Sequence, residues 1–126
     1  MEVPILKQGE FLIASIQGAL TDTDLTGLQE KLVHSVRRHR SQGVVIDVTV
    51  LDVMDSFAAR TLRSITVMTR LLGAKVAVVG IQPEIAFSMV QLGLTLEGTI
   101  TSLDLEDGIA MLKAANNKDR LGKHGR

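Results

Sequence analysis

Asp52, Asp55 and Ser56 fall within five residues of one another, in the stretch that follows the apolar run Val44-Val45-Ile46-Asp47-Val48. Two carboxylates and a hydroxyl at the junction of a strand and a helix can do several things. The plainest is capping. A carboxylate or hydroxyl there accepts a hydrogen bond from an orphan amide and typically contributes about 1 kcal/mol. The residue types alone weigh most towards that role for Asp55 and Ser56. Ser56 has a second role open to it, as an acceptor of a phosphoryl group. The amino-terminal end of a helix offers free amides and a positive dipole end, so it tolerates a phosphate. Such a group would add roughly two negative charges beside Asp52 and Asp55, changing what the loop binds without unfolding the domain.

Other chemistry finds little support. No His stands in sequence context to act as a base for Ser56, and no nucleophile elbow surrounds it. Neither a Walker motif nor a dinucleotide fingerprint is present, so Asp47 at a strand end reads as a carboxylate bonded to loop amides. The chain has no Cys, which removes disulfides, thiol catalysis and cysteine metal sites. His34, His39 and His124 are scattered and lack the spacing of metal ligands. No cofactor is expected. Arg37-Arg38-His39-Arg40 is a basic run at a helix end, where it complements the dipole. Arg60, Arg63 and Arg70 share the outer side of the next helix with Val67, either as a solvated face or as part of a docking surface.

The elements that position these residues follow from hydrophobic spacing. Ile5 to Lys7 and Phe11 to Ile16 read as short strands turning at Gly9. Asp22 to His39 places Leu25, Leu28, Leu32 and Val36 on one helical stripe, with candidate caps from Thr21 to Asp24. Val44 to Val48 and Val76 to Val79 are continuous apolar runs, as in strands buried on both faces of a parallel sheet. Between them a helix from Ser56 to Leu72 is expected to turn Phe57, Thr61, Leu62, Ile65, Met68 and Leu72 inward. Pro83 opens a short helix using Ile85, Ala86, Met89 and Val90. Thr99 to Thr101 suggests an edge strand, and Ser102 to Ala115 a last helix using Leu105, Ile109 and Leu112.

Strand–helix alternation implies parallel pairing with right-handed crossovers, and the first two strands add an antiparallel hairpin. The expected fold is a single α/β domain over residues 1–115: a mixed sheet of four to five strands covered by about four helices, with a polar, flexible tail from Asn116. In such sheets function gathers where the parallel strands end. The loops Thr49 to Asp55 and Gly80 to Pro83 are therefore expected side by side.

Bulk composition fits. At 126 residues there is room for one core, and 45% hydrophobic with 22% charged residues suits a folded domain. Fourteen Lys and Arg balance fourteen Asp and Glu, so no polyanion or membrane surface is favoured. Only 2% of residues are aromatic, which argues against base-stacking platforms for single-stranded nucleic acid. No signal peptide or spanning segment is evident, and a cytoplasmic location is expected.

The order of motifs resembles a known family. Val45-Ile46-Asp47, a short loop, then Asp55-Ser56 opening a helix is similar to the STAS domain, which includes bacterial anti-sigma factor antagonists. The likeness continues through Gly73 to Pro83 and Leu103-Asp104-Leu105-Glu106-Asp107-Gly108. Phe57-Ala58 after the serine, and Gly80-Ile81-Gln82-Pro83, look most like the RsbS-type stressosome antagonists. The chain begins at the STAS domain itself, as the short scaffold partner would.

That resemblance implies a non-enzymatic scaffold that assembles with RsbR-type STAS paralogues, forms homo-oligomers within a large hetero-complex, and sequesters an RsbT-type switch serine kinase. The kinase would phosphorylate Ser56 and leave, and a phosphatase would reset the switch. Asp52, Asp55, Ser56, Phe57, Arg60, Gln82 and Pro83 would form the partner-binding surface. An anti-sigma factor antagonist, or a STAS interaction module that is never phosphorylated, is the alternative.

Overall fold

The computed structural model describes residues 3–18 and 20–124, the side chains through residue 119. Its elements run β1 (Ile5–Gln8), β2 (Phe11–Ser15), α1 (Asp22–His39), β3 (Gly43–Asp47), α2 (Ser56–Leu71), β4 (Lys75–Val79), α3 (Pro83–Gln91), β5 (Ile100–Ser102) and α4 (Leu105–His124). The five strands lie in sequence order across one sheet. β1 pairs antiparallel with β2, and β2 through β5 pair parallel, with Ile13 opposite Val45 and Val45 opposite Ala77.

Because the parallel strands advance in one direction, right-handed crossovers place every connecting helix on the same face. The side chains confirm this. Leu12, Ala14, Val44, Ile46, Val76 and Val78 pack with Leu28, Leu32 and Val36 of α1, Ala59, Leu62 and Ile65 of α2, and Ile85 and Met89 of α3. The alternate positions Phe11, Ile13, Val45, Ala77 and Val79 face the other way, onto Leu112 of α4. α4 follows the last strand and is free to cover the opposite face. It comes close: a Cβ on Gly108 would stand 2.5 Å from Val79.

Helix ends follow their capping residues. Thr21 caps α1 in a capping box, with Asp24 N donating to Thr21 Oγ1 at 3.1 Å and Thr21 N to Asp24 Oδ2 at 3.0 Å. The β1–β2 hairpin, the α1 stripe and both buried strands match the expectation from sequence.

Three details differ. α2 buries Thr66 and Thr69 beside the expected Thr61, Leu62 and Ile65, whereas Phe57 and Met68 are half-buried and Leu72 is exposed. The inward stripe is rotated towards Thr66, whose hydroxyl turns back to the Arg63 carbonyl at 2.8 Å, and Thr69, whose buried hydroxyl has no hydrogen-bond partner among the described residues. In α3 only Ile85 and Met89 reach the core; Ala86 and Val90 are exposed, since a nine-residue helix turns a single narrow stripe inward. The last helix does not end at Ala115 but continues to His124, and Asp119 pairs with Lys75 at 2.6 Å. The apolar stripe ends at Leu112, and with it the signal that marked the helix in sequence.

Candidate functional site

The carboxyl ends of β3 and β4 open into two connections that meet. Asp47 closes β3 with an Asx turn: Thr49 N donates to Asp47 Oδ1 at 2.9 Å and the Thr49 hydroxyl to the same oxygen at 2.6 Å. Leu51 N then donates to the Val48 carbonyl at 3.0 Å, turning the chain again. Leu51 and Met54 are both buried, so they hold the loop in the core like two pegs. Asp52 and Val53 between them, and Val50 just before, stay exposed.

The β4–α3 connection packs on this loop. Gly80 has φ +75°, and a Cβ there would run into Thr49, lying 3.0 Å from its Cα. Only glycine meets both conditions. Gln82 stands at the amino-terminal cap of α3 yet makes no side-chain cap; its Nε2 donates instead to the Thr49 carbonyl at 2.9 Å. Pro83 follows as the first helical residue and is exposed. The two loops expected side by side are thus joined by a hydrogen bond.

At the start of α2 the pair Asp55-Ser56 divides its work. Asp55 is the cap: its backbone is extended (φ −90°, ψ 178°) and its Oδ1 accepts from Ala58 N at 2.8 Å. Ser56 is the first helical residue, exposed and outside the cap. The first turn of α2 carries no acidic residue of its own. Ser56, Arg60, Arg63 and Val67 are spaced four, three and four residues apart, so they form one exposed stripe down the helix. Asp52 and Asp55 lie at its upper end and two guanidinium groups below.

Arg70, three residues beyond Val67, continues that exposed stripe, but its side chain is engaged elsewhere. Its Nη1 donates to the Glu97 carbonyl at 2.9 Å, and its guanidinium lies where a side chain on Gly98 would stand. Of the residues expected at the site, Asp52, Asp55, Ser56, Arg60, Gln82 and Pro83 are exposed around the joined loops, and Phe57 is half-buried beside them. Thr49, which holds both loops, was not legible as a site residue; the Asp-x-Thr spacing of an Asx turn was its only sequence signal. Leu103 was also missed. It is 87% exposed and follows Ser102, whose carbonyl accepts from Gly80 N, so it stands at the same end of the sheet.

Among the described residues no group of His, Cys, Asp and Glu could hold a metal ion, and no helix is long and apolar enough to cross a membrane.

Residues 2–107 match the family model of the STAS domain. The chain belongs to the STAS domain family. The RsbT co-antagonist protein RsbRA of Bacillus subtilis (strain 168) is 42% identical over 82 residues, 65% of this chain and 30% of that protein. RsbRC of the same organism is 34% identical over 83 residues, 66% of this chain and 29% of that protein. This STAS chain therefore spans less than a third of the length of those curated relatives. A structure of RsbS from Moorella thermoacetica, bearing a serine-to-glutamate substitution, superposes with a TM-score of 0.85 at 32% identity. It covers 93% of this chain and 99% of that one. A chain from the molecular architecture of the stressosome aligns with a TM-score of 0.78 at 32% identity, over 90% of this chain and 98% of that one. The STAS chain described here thus carries the fold of stressosome proteins along nearly its whole length.

Proposed function

We propose that this STAS domain is a stressosome antagonist of the RsbS type. It assembles with RsbR-type paralogues and further copies of itself, holds an RsbT-type serine kinase in its unmodified form, and releases it on phosphorylation of Ser56. A phosphatase resets the switch. The domain acts as a substrate and scaffold rather than a catalyst, and the complex works in the cytoplasm.

One observation carries the proposal: Asp55 caps α2, so Ser56 is left exposed on the first turn with no structural duty. A phosphoryl group there would sit at the positive end of α2, with Asp52 and Asp55 beside it and Arg60 one turn below. The helix therefore accommodates the modification while the surface seen by a partner becomes more negative. Asp52, Phe57, Arg60, Gln82 and Pro83 complete the docking face. Like-charge repulsion and desolvation amounting to about 3 kcal/mol would weaken kinase binding more than a hundredfold, enough for release.

The test is a titration of the kinase with unmodified and with stoichiometrically phosphorylated chain. Tight binding of the first and a loss of about a hundredfold for the second are expected. Equal affinities would refute the switch and leave a passive scaffold.

A further inference from the structure

Behind the peg residues of the Ser56 loop lies a chamber of about 270 Å³. Its walls are Leu25 of α1, Val48, Leu51 and Met54 of the loop, and Leu62 and Ile65 of α2. For scale, a cavity of about 150 Å³ lined by Leu, Ile and Phe stays dry and admits benzene. This chamber has room for such a ring and a short substituent. Two further features say what the substituent is. Asp52 and Asp55 contribute to the lining, and Asp52 is exposed, so carboxylates mark the side on which the chamber opens. Thr61, more than nine-tenths buried, also lines it and carries a hydroxyl.

We infer that this chamber is a binding site for a small amphiphilic cation, with an apolar or aromatic body inside and an ammonium group at the Asp52 side. Apolar walls favour the body by removing it from water. The exposed carboxylate favours a positive head over a neutral one, and Thr61 offers a polar contact on an otherwise apolar wall. A bound molecule touches Leu51, Met54 and Asp55 together, and so braces the loop that presents Ser56. The site stands on its own geometry and does not depend on phosphorylation of that serine.

Phenethylamine and its neutral analogue phenethyl alcohol are suitable probes for the full chain. Methyl-detected NMR is expected to show saturable phenethylamine binding, with shifts centred on Leu25, Leu51, Met54, Leu62 and Ile65 and ring-to-methyl contacts to Met54 and Leu62. The amine should bind roughly fivefold tighter than the alcohol, a preference that Asp52→Asn removes. Ala58 also lines the chamber, and Ala58→Leu, which fills it, should abolish both. Shifts that never saturate, equal affinities for the two probes, or undiminished binding to a folded Ala58→Leu variant would overturn the inference. If Ala58→Leu does not fold, the ring-to-methyl contacts in the wild type decide: their absence is equally fatal.

Discussion

The side-chain amide of Gln82 donates to the main-chain carbonyl of Thr49 at 2.9 Å, which ties the start of α3 to the loop that carries Ser56. The same threonine is bonded to Asp47 and faces Gly80, so both connections converge on one residue. The loop is thereby held in one shape before any partner arrives, which lowers the ordering cost of binding.

Gln82→Ala removes this tie. The net loss is expected at about 1 kcal/mol, read as a lower urea midpoint with an unchanged slope. Amide exchange should quicken selectively between residues 49 and 55. Unchanged exchange there would show that the pegs Leu51 and Met54 hold the loop unaided.

Asp55 and Ser56 should separate cleanly under mutation. Asp55→Ala loses the bond to Ala58 N and should cost about 1 kcal/mol. Ser56→Ala, which replaces an exposed residue outside the cap, should stay within about 0.5 kcal/mol of the parent. Equal destabilisation by the two, compared in urea melts, would mean that the serine shares the cap.

Gly80→Ala is expected to destabilise by about 1–3 kcal/mol, since it forces a side chain into the left-handed region and against Thr49. The alternative to a lower midpoint is retreat of the Thr49 loop. That would appear as amide shifts from residues 47 to 55 and weaker partner binding.

These positions also mark what could be read from sequence. Leu25, Leu28, Leu32 and Val36 fix α1 because their spacing repeats each turn, and Val44 to Ile46 fix a buried strand because no polar residue interrupts them. The Asp-Ser pair was legible as a strand-to-helix junction. Which member capped was not, because both side chains can accept from a helix amide; the extended backbone at Asp55 decides it. Thr66 and Thr69 escaped notice because residue type suggests surface, whereas both are buried in the fold. Arg70 looked identical to Arg60 and Arg63. Only the return of the chain through Glu97, twenty-seven residues later, gives it a different task.

That difference is testable. Arg70→Ala removes the bond to the Glu97 carbonyl and should lower stability by about 1 kcal/mol while sparing kinase affinity. Arg60→Ala should do the reverse, with stability within about 0.5 kcal/mol of the parent and weaker kinase binding. Circular dichroism melts and binding titrations on both variants distinguish the two; matching profiles would remove Arg60 from the docking face.

The central claim is that Ser56 is the phosphoryl acceptor, and intact-protein mass spectrometry tests it most directly. The chain and its Ser56→Ala variant are each incubated with an RsbT-type kinase and ATP. One phosphoryl group on the parent and none on the variant is the predicted result. No phosphoryl group on the parent, or the same increment on both proteins, would contradict the account and place the control of this STAS domain elsewhere.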